Sequence, residues 1–405
     1  MTETGTAGLL PVELFVLLVT VATAVALLAR RVALPYTVAL VLAGLGISVL
    51  FPTPQVEITP ELILAVLLPG LVFEAAYKID LGELRRSFGA VAILAAPGVL
   101  ITAGVVAVVV SALTGLDFPL AFLLGAMISA TDPAAVVSLF KRLHAPRRLA
   151  TVVESESLLN DGTGVVLFAI ALRAISEPVS IADGGISFVL TVVVSAALGT
   201  IAGLTAERLM KIADDHLIEV AISVVVAYGT YLIADRIHES GIIATVVVGL
   251  VLGNEGTGPS LSRRTREALD ITWEFTAFLL TALTFLLMGL AISPGLLAQA
   301  LPLIVTGFAA ITVARALVVY GVIGGGGRLL LGPIRMPVGY LHVMFWAGLR
   351  GAVAVALALA LPTSIPDRGL LQGAVYGIVL VTLLVQGTTA GLVVRRSGIL
   401  DRPGG

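Results

Sequence analysis

Two aspartates, Asp132 and Asp161, sit in the middle of stretches that are otherwise apolar enough to cross a membrane, each inside a short polar cluster. The first cluster is Ala130, Thr131, Asp132 and Pro133; the second is Glu156, Ser157, Leu158, Leu159, Asn160 and Asp161. An ionised aspartate at the centre of a spanning helix costs ~2.5–3.5 kcal/mol on insertion scales, so an acid kept there points to a cation or proton path. Ser157 and Asp161 are four residues apart and share a helix face. With Thr131 and Asp132 they supply several oxygen ligands, the chemistry that a hard cation such as Na+ prefers to nitrogen or sulfur. A proton and a monovalent cation would then compete for one site, and only the neutralised site would cross at low cost. That is the physics of antiport.

Nothing beside these residues suggests catalysis. The chain has no cysteine, and His144, His216, His238 and His342 form no ligand spacing. The run of four glycines at 324–327 lacks the Lys-Ser/Thr ending of a phosphate loop. Neither an enzyme nor a cofactor is expected, and the only metal foreseen is transported Na+, on Asp132, Asp161, Ser157 and Thr131.

Positioning these groups requires membrane helices. The 405 residues are 58% hydrophobic and only 12% charged, with 43 glycines and a mean hydropathy of +1.08, which excludes an ordinary soluble domain. Continuous apolar runs, not alternating ones, give an all-α integral membrane protein with about thirteen spans. The first run, near 9–29, reads as a helix and not as a cleaved signal. With thirteen spans, the basic residues gather on one side. Of 24 Lys and Arg, only Arg173, Arg236 and Arg368 fall on the other side and only Arg315 and Arg350 within spans. The positive-inside rule therefore places the C-terminus in the cytoplasm and the N-terminus outside a cell membrane.

Thirteen also divides into two six-helix halves and a linker, the inverted-repeat plan of many transporters, which bind at broken helices in matching positions. The span at 118–140 holds Asp132 and Pro133, a helix start buried in the membrane: Pro suits the first helical position, and Asp or Thr caps the N–H groups before it. The matching span at 338–361 is interrupted by Gly348, Leu349, Arg350 and Gly351. Broken helices crossing near the midplane are thus expected in both halves. Glu156 is the natural partner of Arg350, since either alone would be very costly in lipid. Glu74 could pair with Arg350, line an access path, or sit at the interface. Arg315 and Glu274 read as anchors near span ends. Gly199 with Gly203, and Gly249 with Gly253, have the spacing of close helix contacts or a dimer face.

The segments around Asp132, around Glu156 to Asp161, and from Gly348 to Val353 together resemble the signature segments of sodium/proton antiporters of the NhaP/NHE type, over about 9–394. Glu74, in Phe73-Glu74-Ala75-Ala76, resembles that family's acidic position at the end of the third helix. The resemblance implies a thirteen-helix homodimer. An ion-translocating core, 88–175 and 299–394, would move against a dimerisation scaffold, 1–87 and 185–292. It implies Asp161 as the central cation and proton carrier, completed by Asp132, Ser157 and the Thr131 backbone and supported by Glu156 and Asn160. The Asn160-Asp161 pair, in place of two acids, implies electroneutral exchange. Since the last span ends near residue 394, regulation by a cytoplasmic tail is not expected.

Three alternatives belong beside this reading. Selectivity between Na+, Li+ and K+ depends on sub-ångström cavity size, so K+/H+ exchange on the same architecture remains open. A cation channel needs a continuous pore, usually built by symmetry from subunits with few helices. A non-transporting membrane sensor would not need a complete ligand set.

Overall fold

Pro, Gly and short capping side chains punctuate the apolar runs, and the helices begin and end at them. The computed structural model describes residues 10–32, 34–50, 59, 61–177, 180–213, 215–254, 262–325 and 336–400. The first half comprises α1 (Leu10–Val32), α2 (Tyr36–Leu50), α3 (Leu68–Lys78), α4 (Leu81–Ala95), α5 (Pro97–Thr114), α6 (Phe118–Met127), α7 (Ala134–Leu143) and α8 (Arg147–Ser176). Next come α9 (Ile181–Ala213), α10 (His216–Arg236), α11 (Gly241–Gly253), α12 (Arg263–Ala291) and the short α13 (Pro294–Gln299). The last part holds α14 (Leu301–Ala316), α15 (Val338–Trp346), α16 (Ala352–Leu359), α17 (Arg368–Thr382) and α18 (Thr388–Arg396). Wider π-helical turns lead into α3 (Leu62–Leu67), extend α14 (Leu317–Gly325) and join α17 to α18 (Leu383–Gly387). No strand occurs among the described residues. Arg328, Arg335, Arg402 and the glycines at 326 and 327 lie outside them.

The caps follow from side-chain chemistry. Asp80 accepts from the N–H groups of Gly82 and Glu83 at 2.8 and 3.1 Å to start α4, and Ser262 accepts from Thr265 N–H at 3.1 Å to start α12. Asp215 opens α10 in the same way, and the N–H groups of Leu217 and Ile218 hold its carboxyl below the usual range. Pro97 starts α5 directly after Ala96, so α4 and α5 form one apolar stretch, Leu81–Thr114, bent where Pro97 can supply no N–H. The expected span at 88–113 lies within this stretch.

Among the described residues, seven helical stretches are long and apolar enough on their own to cross a membrane, and α1, α2, α6 and α11 carry shorter apolar segments. Two of the expected spans are split. The span at 118–140 is α6 and α7, separated by residues 128–133, and the span at 338–361 is α15 and α16, separated by residues 347–351. Those breaks fall on the Asp132-Pro133 and Gly348–Gly351 signals.

Glycines set the tightest packing. A methyl at Gly253 or Gly249 would strike the α3 backbone at the Tyr77 and Phe73 carbonyls, and one at Gly199 would meet the Ala244 carbonyl of α11. α11 is therefore gripped on one side by α3 and on the other by α9. Gly44 of α2 and Gly289 of α12 face each other equally closely. Both glycine pairs singled out in the sequence thus serve contacts within one chain. Gly253→Ala is expected to lower stability by ~1–3 kcal/mol, because neither backbone can move aside without repacking. Gly229→Ala, where a methyl meets nothing within 4 Å, should be neutral or mildly stabilising. Thermal melts of both variants in detergent compare the two positions directly.

Candidate ion site

The two breaks cross at their unwound segments. Asp132 N–H donates to the Leu349 carbonyl at 2.8 Å, tying one break to the other. The Asp132 carboxylate accepts from Ala134 N–H at 2.9 Å and from the backbone of Ala352. It therefore faces the positive ends of two half-helices, α7 and α16. Pro133 occupies the capping position immediately before α7, one residue earlier than the sequence suggests. Gly351 is where α16 comes against the acid, since a methyl there would collide with the Asp132 side chain.

α8 supplies the other wall. Ser157 donates to the Thr131 carbonyl at 2.5 Å. Asn160 makes a reciprocal pair with Thr131, accepting its N–H at 3.0 Å and donating to its hydroxyl at 2.7 Å. The amide of Asn160 thus fixes the unwound segment with one bond accepted and one donated. Asp161 lies within electrostatic reach of Asp132, and both line a cavity of about 530 Å³ together with Thr131, Ser157 and Glu74. Among the described residues no protein group hydrogen-bonds the Asp161 side chain. One acid is anchored by backbone N–H groups, and the other faces the cavity.

The carbonyl ends of the half-helices are met by arginines. Arg350, 2% exposed, donates to the Ser129 and Ala130 carbonyls just beyond α6, at 2.5 and 3.0 Å. Arg315 donates to the Met344 carbonyl near the end of α15, at 2.7 Å from Nη2 and 3.2 Å from Nε. The same guanidinium binds Glu156 through two parallel contacts, one Nη1 to Oε1 and the other Nη2 to Oε2 at 3.0 Å. This corrects two sequence expectations. Glu156 pairs with Arg315, not Arg350, and Arg315 is a buried structural residue, not an anchor at a span end. The physical reason is depth: the crossing puts Arg350 over the carbonyl end of α6, and α14 brings Arg315 beside α8. Glu274 is exposed on α12.

Glu74 also departs from one expectation. It pairs with Lys78 at 2.5 Å, one turn along α3, and lines the cavity, with no contact to Arg350. Glu156 points away from that cavity toward Arg315. One cavity-lining acid escaped the sequence reading: Glu154. Its signal was present, since Glu154, Ser157 and Asp161 fall at i, i+3 and i+7 on one face of α8.

Comparison with known proteins follows the same lines. Residues 16–396 match the family model described as sodium/hydrogen exchanger, transmembrane. The chain is 35% identical to the low-affinity Na(+)/H(+) antiporter NhaS1 of Synechocystis sp., over 96% of this chain and 76% of that protein. It is 36% identical to the Na(+)/H(+) antiporter NhaP of Pseudomonas aeruginosa, over 83% and 81% of the two chains. Its fold is similar to that of the sodium proton antiporter MjNhaP1 of Methanocaldococcus jannaschii, with a TM-score of 0.79 at 20% identity, covering 97% and 99% of the two chains.

Proposed function

Because this chain belongs to the sodium/hydrogen exchanger family, we infer that it is a membrane antiporter exchanging Na+ for H+, and we propose how its residues do so. Asp161 carries the proton and the cation in turn. Asp132, the Ser157 hydroxyl and the Thr131 carbonyl complete the cation's oxygen ligands, with Asn160 holding Thr131 in place. The observation that carries this assignment is the contrast between the two acids: Asp132 is engaged by the backbones of Ala134 and Ala352, while Asp161 faces the cavity. Glu156 and Arg315 lock the frame, and Arg350 holds the carbonyl end of α6.

Alternating access follows if 88–175 and 299–394 move as a core against a scaffold of 1–87 and 185–292. The cavity supports this division, for its walls come from both parts: α3 and α12 on one side, α7, α8 and α16 on the other. The crowding of basic residues around Lys78, Lys141 and the other connections of one side supports a cytoplasmic C-terminus. A second copy would pack through the scaffold, where α9 offers a long apolar span only 11% buried within the chain.

The charges suggest a one-for-one exchange. Asp132, Asp161 and Glu156 stand against Arg315 and Arg350, leaving one negative charge that a single proton or a single Na+ cancels. Sodium-driven proton movement in proteoliposomes should therefore be indifferent to a potassium–valinomycin potential of either sign. NaCl should dequench an internal pH dye, and KCl and LiCl added separately give the selectivity. A sustained current that needs Asp161 would show that more than one proton moves per cation. Exchange with KCl and none with NaCl would overturn the assignment of substrate.

A further inference from the structure

The cavity that holds Asp132 and Asp161 has a second set of charges at its rim. Lys78 is the last residue of α3, and its ammonium lies 2.5 Å from Glu74, a partly shielded acid whose side chain is 17% exposed. The lysine side chain is 37% exposed, so it can swing outward at low cost, and it lines the same cavity as the two aspartates. Facing them from the other wall is Glu154, which senses Lys141, Glu74 and Lys78. Glu154 stands ~10 Å before Asp161 along α8, at 1.5 Å per residue, with Ser157 between them on the same face. Oxygen groups thus form a ladder from the rim to the site, and two of its outermost members face lysines.

We propose that Lys78 is a tethered cation that occupies Glu74 and competes with incoming Na+ at the rim, so that it sets the apparent sodium affinity of the transporter. A cation approaching the cavity meets Glu74 and Glu154 before the inner aspartates. It can use Glu74 only by displacing the ammonium, a group that bears the same charge and cannot leave the protein. Lys141 acts in the same sense on Glu154 from α7. These lysines act through the rim acids and do not touch the ion at the inner site.

The proposal rests on the antiport reading of this cavity, and the test separates the two. Apparent KM for Na+ is measured in proteoliposomes for wild type, Lys78→Met, Lys78→Gln, Lys78→Arg and Glu154→Gln. Removing the ammonium should lower KM by about two- to five-fold, the scale of a partly exposed ion pair. Lys78→Arg, which keeps the charge, should stay near the wild-type value, and Glu154→Gln should raise KM. A merely structural role for the Glu74–Lys78 pair would raise KM or lower the rate, whereas lost competition lowers KM. An unchanged or raised KM in either Lys78→Met or Lys78→Gln, beside a normal wild type, overturns the tether alone. A wild type that exchanges no Na+ overturns the antiport reading itself.

Discussion

Asp161→Asn is expected to abolish sodium/proton exchange while leaving the protein folded. The amide has nearly the shape of the acid, and among the described residues no protein hydrogen bond depends on the Asp161 side chain, so folding loses little. Transport loses the one group that can be neutralised alternately by a proton and by Na+. Losing a charge–ion contact of ~3 kcal/mol should slow exchange by ~100-fold or more. Asn160 and Ser157 keep Thr131 in place in the variant, so the defect should be chemical and not architectural. Dye-monitored exchange in liposomes, with a size-exclusion profile matching wild type, is the measurement. A folded variant exchanging at the wild-type rate would remove Asp161 from the centre of the mechanism.

Arg315→Ala should be the most damaging substitution for stability. It leaves the Glu156 carboxylate buried without its partner and strips the Met344 carbonyl of its donor. Breaking a buried pair from one side costs ~3–5 kcal/mol, largely through the orphaned charge. The double variant Glu156→Gln/Arg315→Ala should recover part of the loss. Arg350→Ala should gain nothing from Glu156→Gln, because Arg350 binds the Ser129 and Ala130 carbonyls instead. Thermal melts in detergent of wild type, the three single variants and the two double variants form the two required cycles. Equal rescue of both arginine variants would mean that Glu156 is shared, and a wild-type melt for Arg315→Ala would mean that the pair contributes no stability.

How much of this was legible in the sequence depends on the range of the interaction involved. Both helix breaks could be read because Pro133, the Gly348–Gly351 segment and an acid or arginine inside an apolar run act locally on the backbone. The Ser157–Asp161 face and the Glu74–Lys78 pair are fixed by helical spacing, although only the first was read. Glu154 was missed because it sits close enough to the end of α8 to pass for an interfacial charge. The partner of Glu156 was not legible. Two arginines lay within apolar runs, and only the crossing of the half-helices decides which guanidinium reaches the carboxylate. Nor could the sequence reveal that both arginines answer backbone carbonyls, since unwound segments expose acceptors that no residue letter records.

The glycine seams between α3 and α11 have a use in measurement. On the proposed division, both helices belong to the scaffold, and their backbones are in contact at Gly249 and Gly253. α8, bearing Glu154 and Asp161, belongs to the core on the far wall of the cavity. A pair of spin labels on α3 and α11 is then a fixed standard, and a pair on α3 and α8 is the gauge. The change in the second distance, read against the constancy of the first, would report the position of the carrier in its cycle without any ion being followed.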